Sequence, residues 1–546
     1  MSQTAASVAI VGANLRRNVA GTAGRPATAI LVRDGVIEAL GSDAEIAAAA
    51  SDGGIRVIDV EGATVTPGLF DSHSHPEWAA SITAGVDLGG IGTLDELTAV
   101  LRAEASRVGD DGWVRGWNLE YELFRDTAPH RAVIEEAVGD RPAILIFYDL
   151  HTGLATRSAL AAAGIHGAVE FADTSSVVVD EDGTPTGELR EMTAFRMVLD
   201  AHPAHPPAEE ADALRRMLLQ LGAVGLTGGA IMDGTPRTRE LLAELETRGQ
   251  LTQRLTVHQW HAVHLTDDDV HEIIAARLER GRLWQGGAIK LFSDGVIDTG
   301  TALLHRQDAC GEGRAAFWPD WSRFREVVRA YHDAGMQIAT HAVGDRAVSE
   351  VLDVYADLPP RADGQPAHTI EHLELLGDAD VAKLGASGVT ASMQPLHMQW
   401  RAADRSDSWA TRLGEDRSAA GYRTRSVLRS GARLVLGSDW PVASYDPRVG
   451  MAWARHRGDP LDPSAPVFEP EERLTGEEAL LAYTLWPAQA RGHGDRGHLS
   501  VGAVGDLTVW DGDPVEVPVP ELVSLQILYT VVDGRVVHES DHPRLR

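Results

Sequence analysis

Cysteine is all but absent. Cys310 stands alone among 546 residues, which excludes an intramolecular disulfide and any cysteine-rich zinc site. Basic charge is scarce as well, with 49 Lys and Arg against 80 Asp and Glu, a formal charge of −31. Such a field repels nucleic-acid phosphates and anionic membrane surfaces, so neither is an expected partner. No apolar run approaches the ~20 residues that span a bilayer. The opening MSQTAASVAIVGANLRRN lacks the basic region of a secretory signal, and the expectation is a soluble, cytoplasmic protein. At 44% hydrophobic and 24% charged, the chain still has ample material for a large core.

Lysine is nearly missing too, occurring only at Lys290 and Lys383, and every other basic residue is arginine. Where only a solvated charge is needed arginine serves, so a surviving lysine invites a chemical question. Lys383 lies in DADVAKLGASG, a polar helix surface. Lys290 lies in GGAIKLFSDG, an apolar strand-like run, and a buried lysine needs a partner such as Asp294, or a task.

Both ends of the chain alternate short β-type runs with turns: SVAIVGANL, TAILVRDGVIEALG and IRVIDVEGATVTPG at one end, GAVGDLTVWDGDP and ILYTVVDGRVVHE at the other. Residues 1–66 and 486–546 are therefore expected to build one small β-sandwich. The middle, 67–485, alternates strand and helix patterns, as parallel α/β folds do. Eight strands are predicted at 68–75, 225–233, 254–262, 287–295, 337–345, 368–375, 389–396 and 432–440, the count of a (β/α)8 TIM-like barrel. A long span after the first strand, about 80–215, reads as an inserted α/β subdomain closed by the His/Pro-rich stretch 200–210.

In such a barrel the working residues sit at the C-terminal ends of strands. The first predicted strand ends in His73-Ser74-His75, whose alternate residues share a face and suit one metal ion. Lys290 lies on the fourth strand, His341 ends the fifth, His372 the sixth and Asp439 the eighth. Each alone has a plain structural reading, but their ordered recurrence at strand ends points to a metal centre of nitrogen and oxygen donors, suited to Zn and also to Fe, Mn, Co or Ni. Trp78, Trp318 and Trp440, with Trp260, Trp321 and Trp400, fall near the expected mouth and favour a pocket for an apolar or aromatic group. His151, beside Tyr148 and Asp149, and Glu191 are candidate contacts from the insert. Cys310 has no histidine partner in its Gly-rich loop and reads as incidental.

The set VTPGLFDSHSH, AIKLF, THAVGD, TIEH, SMQPLHM and GSDWPV, with DLHTGLATRSAL around His151, resembles the amidohydrolase superfamily of metal-dependent hydrolases, in the branch of the N-substituted formamide deformylases. The resemblance implies two divalent metal ions, Zn foremost. His73, His75 and Asp439 would bind one ion and His341 and His372 the other, with Lys290 carboxylated by CO2 to a bridging carbamate. It implies hydrolysis of a non-peptide carbon–nitrogen bond in a small-molecule amide by a metal-activated hydroxide. Asp439 would accept the proton and pass it to the leaving amine. A deaminase or cyclic amidase on the same scaffold is the alternative within enzymes. A barrel that binds metal or ligand without turnover is the alternative outside them, its mark a broken ligand set. A homodimer is the commonest assembly for such a chain.

Overall fold

The computed structural model describes residues 6–541 except 19–26, 53, 110–111, 126, 204–206 and 363. Parts of the two terminal segments and of the 200–210 stretch thus lie outside the described residues. Its centre is an eight-stranded parallel sheet, β1 (Leu69–Ser74), β2 (Leu226–Gly234), β3 (Arg254–Trp260), β4 (Trp284–Phe292), β5 (Gln337–Ala342), β6 (Thr369–His372), β7 (Thr390–Met393) and β8 (Arg433–Leu436), paired in sequence order. Every predicted barrel strand is present.

The first and last strands close the ring just beyond their ends. Asp439 N donates to the His73 carbonyl at 2.7 Å and His75 N to the Trp440 carbonyl at 2.9 Å. The seam is tight at Gly437, where a Cβ would stand 2.6 Å from His73 N, so only glycine fits there. Helices of 3.6-residue period cover the outside. In Trp321–Asp333 the buried residues are Phe324, Val327, Val328 and Tyr331, one stripe facing the barrel.

The insert holds a six-stranded mixed sheet, in the order Ser176–Val179, Pro185–Arg190, Thr152–Ala155, Ala143–Phe147, Val114–Leu119, Val86–Asp87. The run Ala143-Ile-Leu-Ile-Phe147 shows why the sheet sits between two layers. Leu145 and Phe147 pack with Leu97, Leu101 and Ile134 of the insert's own helices, whereas Ile144 and Ile146 join the main barrel core. The sheet thereby caps the C-terminal end of the barrel, and the turn between its two central strands, Ala143–Phe147 and Thr152–Ala155, delivers Tyr148, Asp149 and His151 to the mouth.

Two further sheets come from the ends of the chain. One pairs Val36–Gly41, Ala29–Arg33, Val8–Val11 and Arg56–Asp59; the other interleaves Asn14–Leu15 and Thr64–Pro67 with Leu507–Trp510, Ile527–Val532 and Arg535–Glu539. Their facing residues, among them Ile10, Ile30, Val65, Leu507 and Val531, form one apolar cluster. Among the described residues no helix is long and apolar enough to cross a membrane.

Candidate metal centre

His73 lies near the end of β1 and His75 just beyond it, and both rings reach Asp439, whereas Asp71 is set apart by a register shift between Asp71 and Ser74 and accepts from Ser438. His73 is fixed by Glu371, whose carboxylate accepts from Nδ1 at 2.7 Å, leaving Nε2 with its lone pair toward the barrel axis. Glu371 in turn accepts from the Thr369 hydroxyl. His75 Nε2 lies 3.0 Å from Asp439 Oδ1, and its Nδ1 faces Asp233 Oδ1 at 3.4 Å. Ligand atoms of His73, His75 and Asp439 all lie within 4.8 Å of one another, as do those of His372, His397 and Asp439.

Asp439 is shared by both groups. Its Oδ1 lies toward the β1 histidines, while Oδ2 is 3.7 Å from His372 Nδ1 and 3.9 Å from His397 Nε2. His372 and Asp439 have φ of +75° and +58°. Left-handed backbone at two non-glycine residues is strain held by the surrounding structure, and such strain gathers at functional sites.

Lys290 is 1% exposed, with Nζ 3.5 Å from His73 Nε2 and over the Phe292 ring at 4.8 Å. It makes no ion pair among the described residues. Asp294 is committed elsewhere, accepting the backbone N–H groups of Leu303, Val343 and Gly344. Burial lowers the Lys290 amine to about 8. His341 joins neither three-residue donor group; its Nε2 donates to the Gly295 carbonyl at 3.0 Å, and its ring lies 4.4 Å from that of His372.

The electrostatics fit a cation. Burial and mutual repulsion hold His73, His341 and His372 well below the ordinary imidazole range, so these rings are neutral donors. Against the cost of burial, Asp233 and Asp439 raise His75 to about 9. A place that favours a proton that strongly favours a metal ion through the same carboxylates, and the donors are all imidazole or carboxylate.

A cavity open to solvent lies against His341, His372, His397 and Asp439. His151 reaches it, anchored by a 2.6 Å bond from Nδ1 to Glu191. Its ring is 5.4 Å from that of His341. Four rings furnish the wall: Tyr148 stacks on Trp400 at 4.2 Å and Trp409 on Tyr422 at 5.8 Å. Three carboxylates, Asp149, Asp298 and Glu374, face the same space without an arginine or lysine partner among the described residues. They are satisfied by neutral donors, Tyr121, Ser408 and Trp409 respectively.

The tryptophans fare unevenly. Trp318 does not reach the cavity: the loop after β4 folds back, its indole donates to the Phe292 carbonyl at 2.7 Å, and the ring is 1% exposed against His261 and Phe324. Trp440 packs between Trp117 and Tyr445 and does not line this cavity. Trp78 touches His75 edge-on at 5.9 Å but lines a separate cavity with Asp233 and Trp260. Trp400, also noted near the mouth, does line the candidate site. Sequence reasoning missed Glu371, Asp233 and His397, although each lies in or beside a segment that carried a signal: TIEH, the last residue of the second strand, and SMQPLHM.

Comparison with known proteins agrees with this architecture. The amidohydrolase family profile matches residues 56–538. N-substituted formamide deformylase from Arthrobacter pascens is 29% identical over 528 residues, covering 94% of this chain and 95% of the relative. A metal-dependent hydrolase from Pyrococcus horikoshii OT3 superposes with a TM-score of 0.74 at 20% identity, over 94% of this chain and 99% of that one. A variant of atrazine chlorohydrolase TrzN from Arthrobacter aurescens TC1, solved with zinc and atraton, superposes at 0.51 and 16% identity, over 97% and 95% of the two chains. A match running from the first sheet to the last, with the donor cluster at the barrel mouth, makes the chain a member of the amidohydrolase family of metal-dependent hydrolases.

Proposed function

We propose that this chain hydrolyses the carbon–nitrogen bond of a linear, non-peptide amide, an N-substituted formamide or a close analogue, whose substituent is apolar or aromatic. The observation that carries the reading is the convergence of His73, His75, Lys290, His372 and Asp439 on one end of the barrel, beside an aromatic-walled cavity. In this reading His73, His75 and Asp439 would hold one divalent ion, and His341 and His372 would hold a second. Lys290, carboxylated by CO2, would supply a further oxygen donor to the site. Carboxylation needs a neutral amine, and the burial that lowers Lys290 to about 8 favours one. Zinc suits the donors and is the ion of the TrzN neighbour.

Bound ions of this kind supply an activated water and polarise the amide carbonyl. The protein does the rest. Asp439 presents one oxygen to each side of the site, so it can take the proton of the attacking water and carry it to the leaving amine. Glu371 and Asp233 keep the β1 imidazoles oriented. Tyr148, Trp400, Trp409 and Tyr422 offer faces to an apolar substituent. Of the charged groups lining the cavity, Arg401 is held by Glu469 and His151 by Glu191, which leaves Asp149, Asp298 and Glu374 to disfavour a carboxylate there, so the amide is neutral or cationic rather than an N-acyl amino acid.

The test is metal content per chain by elemental analysis, joined to kcat/KM for an N-arylalkyl formamide and for its carboxylated analogue. About two ions per chain and preference for the uncharged formamide are expected. A metal-free protein, after growth and dialysis with zinc and bicarbonate, or preference for the carboxylated amide, overturns the reading.

A further inference from the structure

A second cavity lies at the opposite end of the barrel, beneath the N-terminal ends of β1 to β4. Phe70, Trp284 and Leu255 furnish its apolar wall, and five arginines, 254, 280, 282, 491 and 496, together with His493 furnish the rest of its character. In a chain of formal charge −31 such a concentration of positive charge is unexpected.

Two of the arginines are neutralised. Arg254 is held by Asp506 at 2.8 Å and Arg282 by Asp533 at 2.7 Å. The other three are held weakly or not at all. Arg280 and Arg491 make no ion pair among the described residues, and Arg496 has only Asp495 at 3.6 Å. Arg491 is 6% exposed, its guanidinium lying over Phe70 at 4.3 Å and bonded only to the Pro487 and Ser72 carbonyls at 3.3 and 3.5 Å. A buried guanidinium without a carboxylate partner is costly.

The unmet hydrogen bonding is of one kind. Trp284 Nε1, Arg491 Nε and Arg496 Nε are buried donors without a partner, and His493 Nε2 is unpartnered beside them. Surplus donors and surplus positive charge in one cavity call for an acceptor-rich anion.

We propose that this cavity binds a small oxyanion, a phosphate group, between Arg491, Arg496 and Trp284. The site is separate from the metal centre and stands whether or not the hydrolase reading above holds. Phosphate meets the need because its oxygens accept several hydrogen bonds at once and its charge offsets the unpaired guanidinium groups.

The test is isothermal titration of the full, metal-loaded chain with inorganic phosphate in a buffer of matched chloride ionic strength, repeated with Arg496→Gln and Trp284→Phe. Trp284→Phe keeps the ring and removes only the donor, and unchanged melting temperatures without phosphate confirm folding of both variants. One saturable site is expected, weakened tenfold or more in Arg496→Gln and measurably in Trp284→Phe. Absence of saturable binding above the chloride control overturns the proposal. So does binding that both variants retain in full, which places phosphate elsewhere, as at the metals. An aryl phosphate titrated in parallel distinguishes the source. Tighter binding than inorganic phosphate assigns an organic phosphate against the Phe70 wall, and equal or weaker binding assigns free phosphate.

Discussion

Replacing Glu371 with glutamine probes the metal centre without touching a proposed ligand. Glu371 is fully buried, accepts from His73 Nδ1 at 2.7 Å and from the Thr369 hydroxyl, and holds the ring that presents Nε2 to the site. The glutamine amide oxygen can still accept from His73, and its NH2 can donate to a turned Thr369 hydroxyl, so the shape survives and the charge is lost. A supporting partner of this sort contributes about 10–100-fold in metal affinity, which is about 1.4–2.8 kcal/mol at 1.4 kcal/mol per factor of ten. Stability without metal moves the other way. Burial pushes the Glu371 carboxyl up, so its ionised form is costly in the metal-free protein, and an uncharged amide is neutral or stabilising there. The assay is metal retained during dialysis against graded chelator, with melting temperatures of stripped and loaded protein. Weaker metal binding with an unchanged or higher stripped melting temperature is expected. Unchanged affinity, or a large loss of stability in the stripped protein, refutes the reasoning by making Glu371 a fold-holding residue.

Four further outcomes follow from the same geometry. Asp439→Asn should lower kcat by about 10²–10⁴-fold while retaining most bound metal, and near-normal turnover rejects its proton-carrying role. Lys290→Ala should lose most of the metal, and intact-protein mass under native conditions should show one CO2 on the wild type only; an unmodified Lys290 in metal-loaded protein removes the carbamate. Asp298→Asn should raise kcat/KM for carboxylate-bearing amides relative to neutral ones above about pH 8, where Asp298, which faces the cavity and is pushed up to about 7 by burial, is ionised, and the difference should shrink below about pH 6. Last, burial holds His368 well below the usual imidazole range, and its Nδ1 accepts from Ile338 N at 3.1 Å. With a folded pKa below the unfolded ~6.5, the unfolded chain binds the extra proton. His368 therefore lends stability above about pH 6.5 that is lost as pH falls. Denaturant unfolding between pH 8 and 5 should show a smaller acid loss in His368→Gln than in wild type.

The barrel was legible because its strands are short apolar runs placed between helical patterns, and because chemistry in this architecture gathers at strand ends. That logic locates His73 and His75, two residues apart where β1 ends, whose rings both reach Asp439, although a register shift between Asp71 and Ser74 breaks the alternation along the rest of the strand. It weakens at β6. In a regular strand Glu371 and His372 point to opposite faces, yet Glu371 reaches His73 and His372 approaches Asp439. The chain manages both because His372 and Leu373 turn left-handed, with φ of +75° and +49°. No periodicity announces that turn, so the carboxylate beside a conspicuous histidine stayed hidden in plain view.

Distance along the chain misleads in the loops for a related reason. Trp318 follows β4 as Trp400 follows β7, and both looked like mouth residues. The β4 loop returns to the strand and spends its indole N–H on Phe292, whereas the turn Pro395–Trp400 stays at the rim and brings His397 and Trp400 to the cavity. Backbone hydrogen bonds made far from the strand decide which way a loop folds, and a single sequence holds no record of them. The cationic cavity is hidden more completely. Its unpaired arginines come from segments 280–282 and 491–496, which lie far apart in the chain, and arginine is the default basic residue throughout. Their meaning lies in the carboxylates they lack, and only the folded chain shows that.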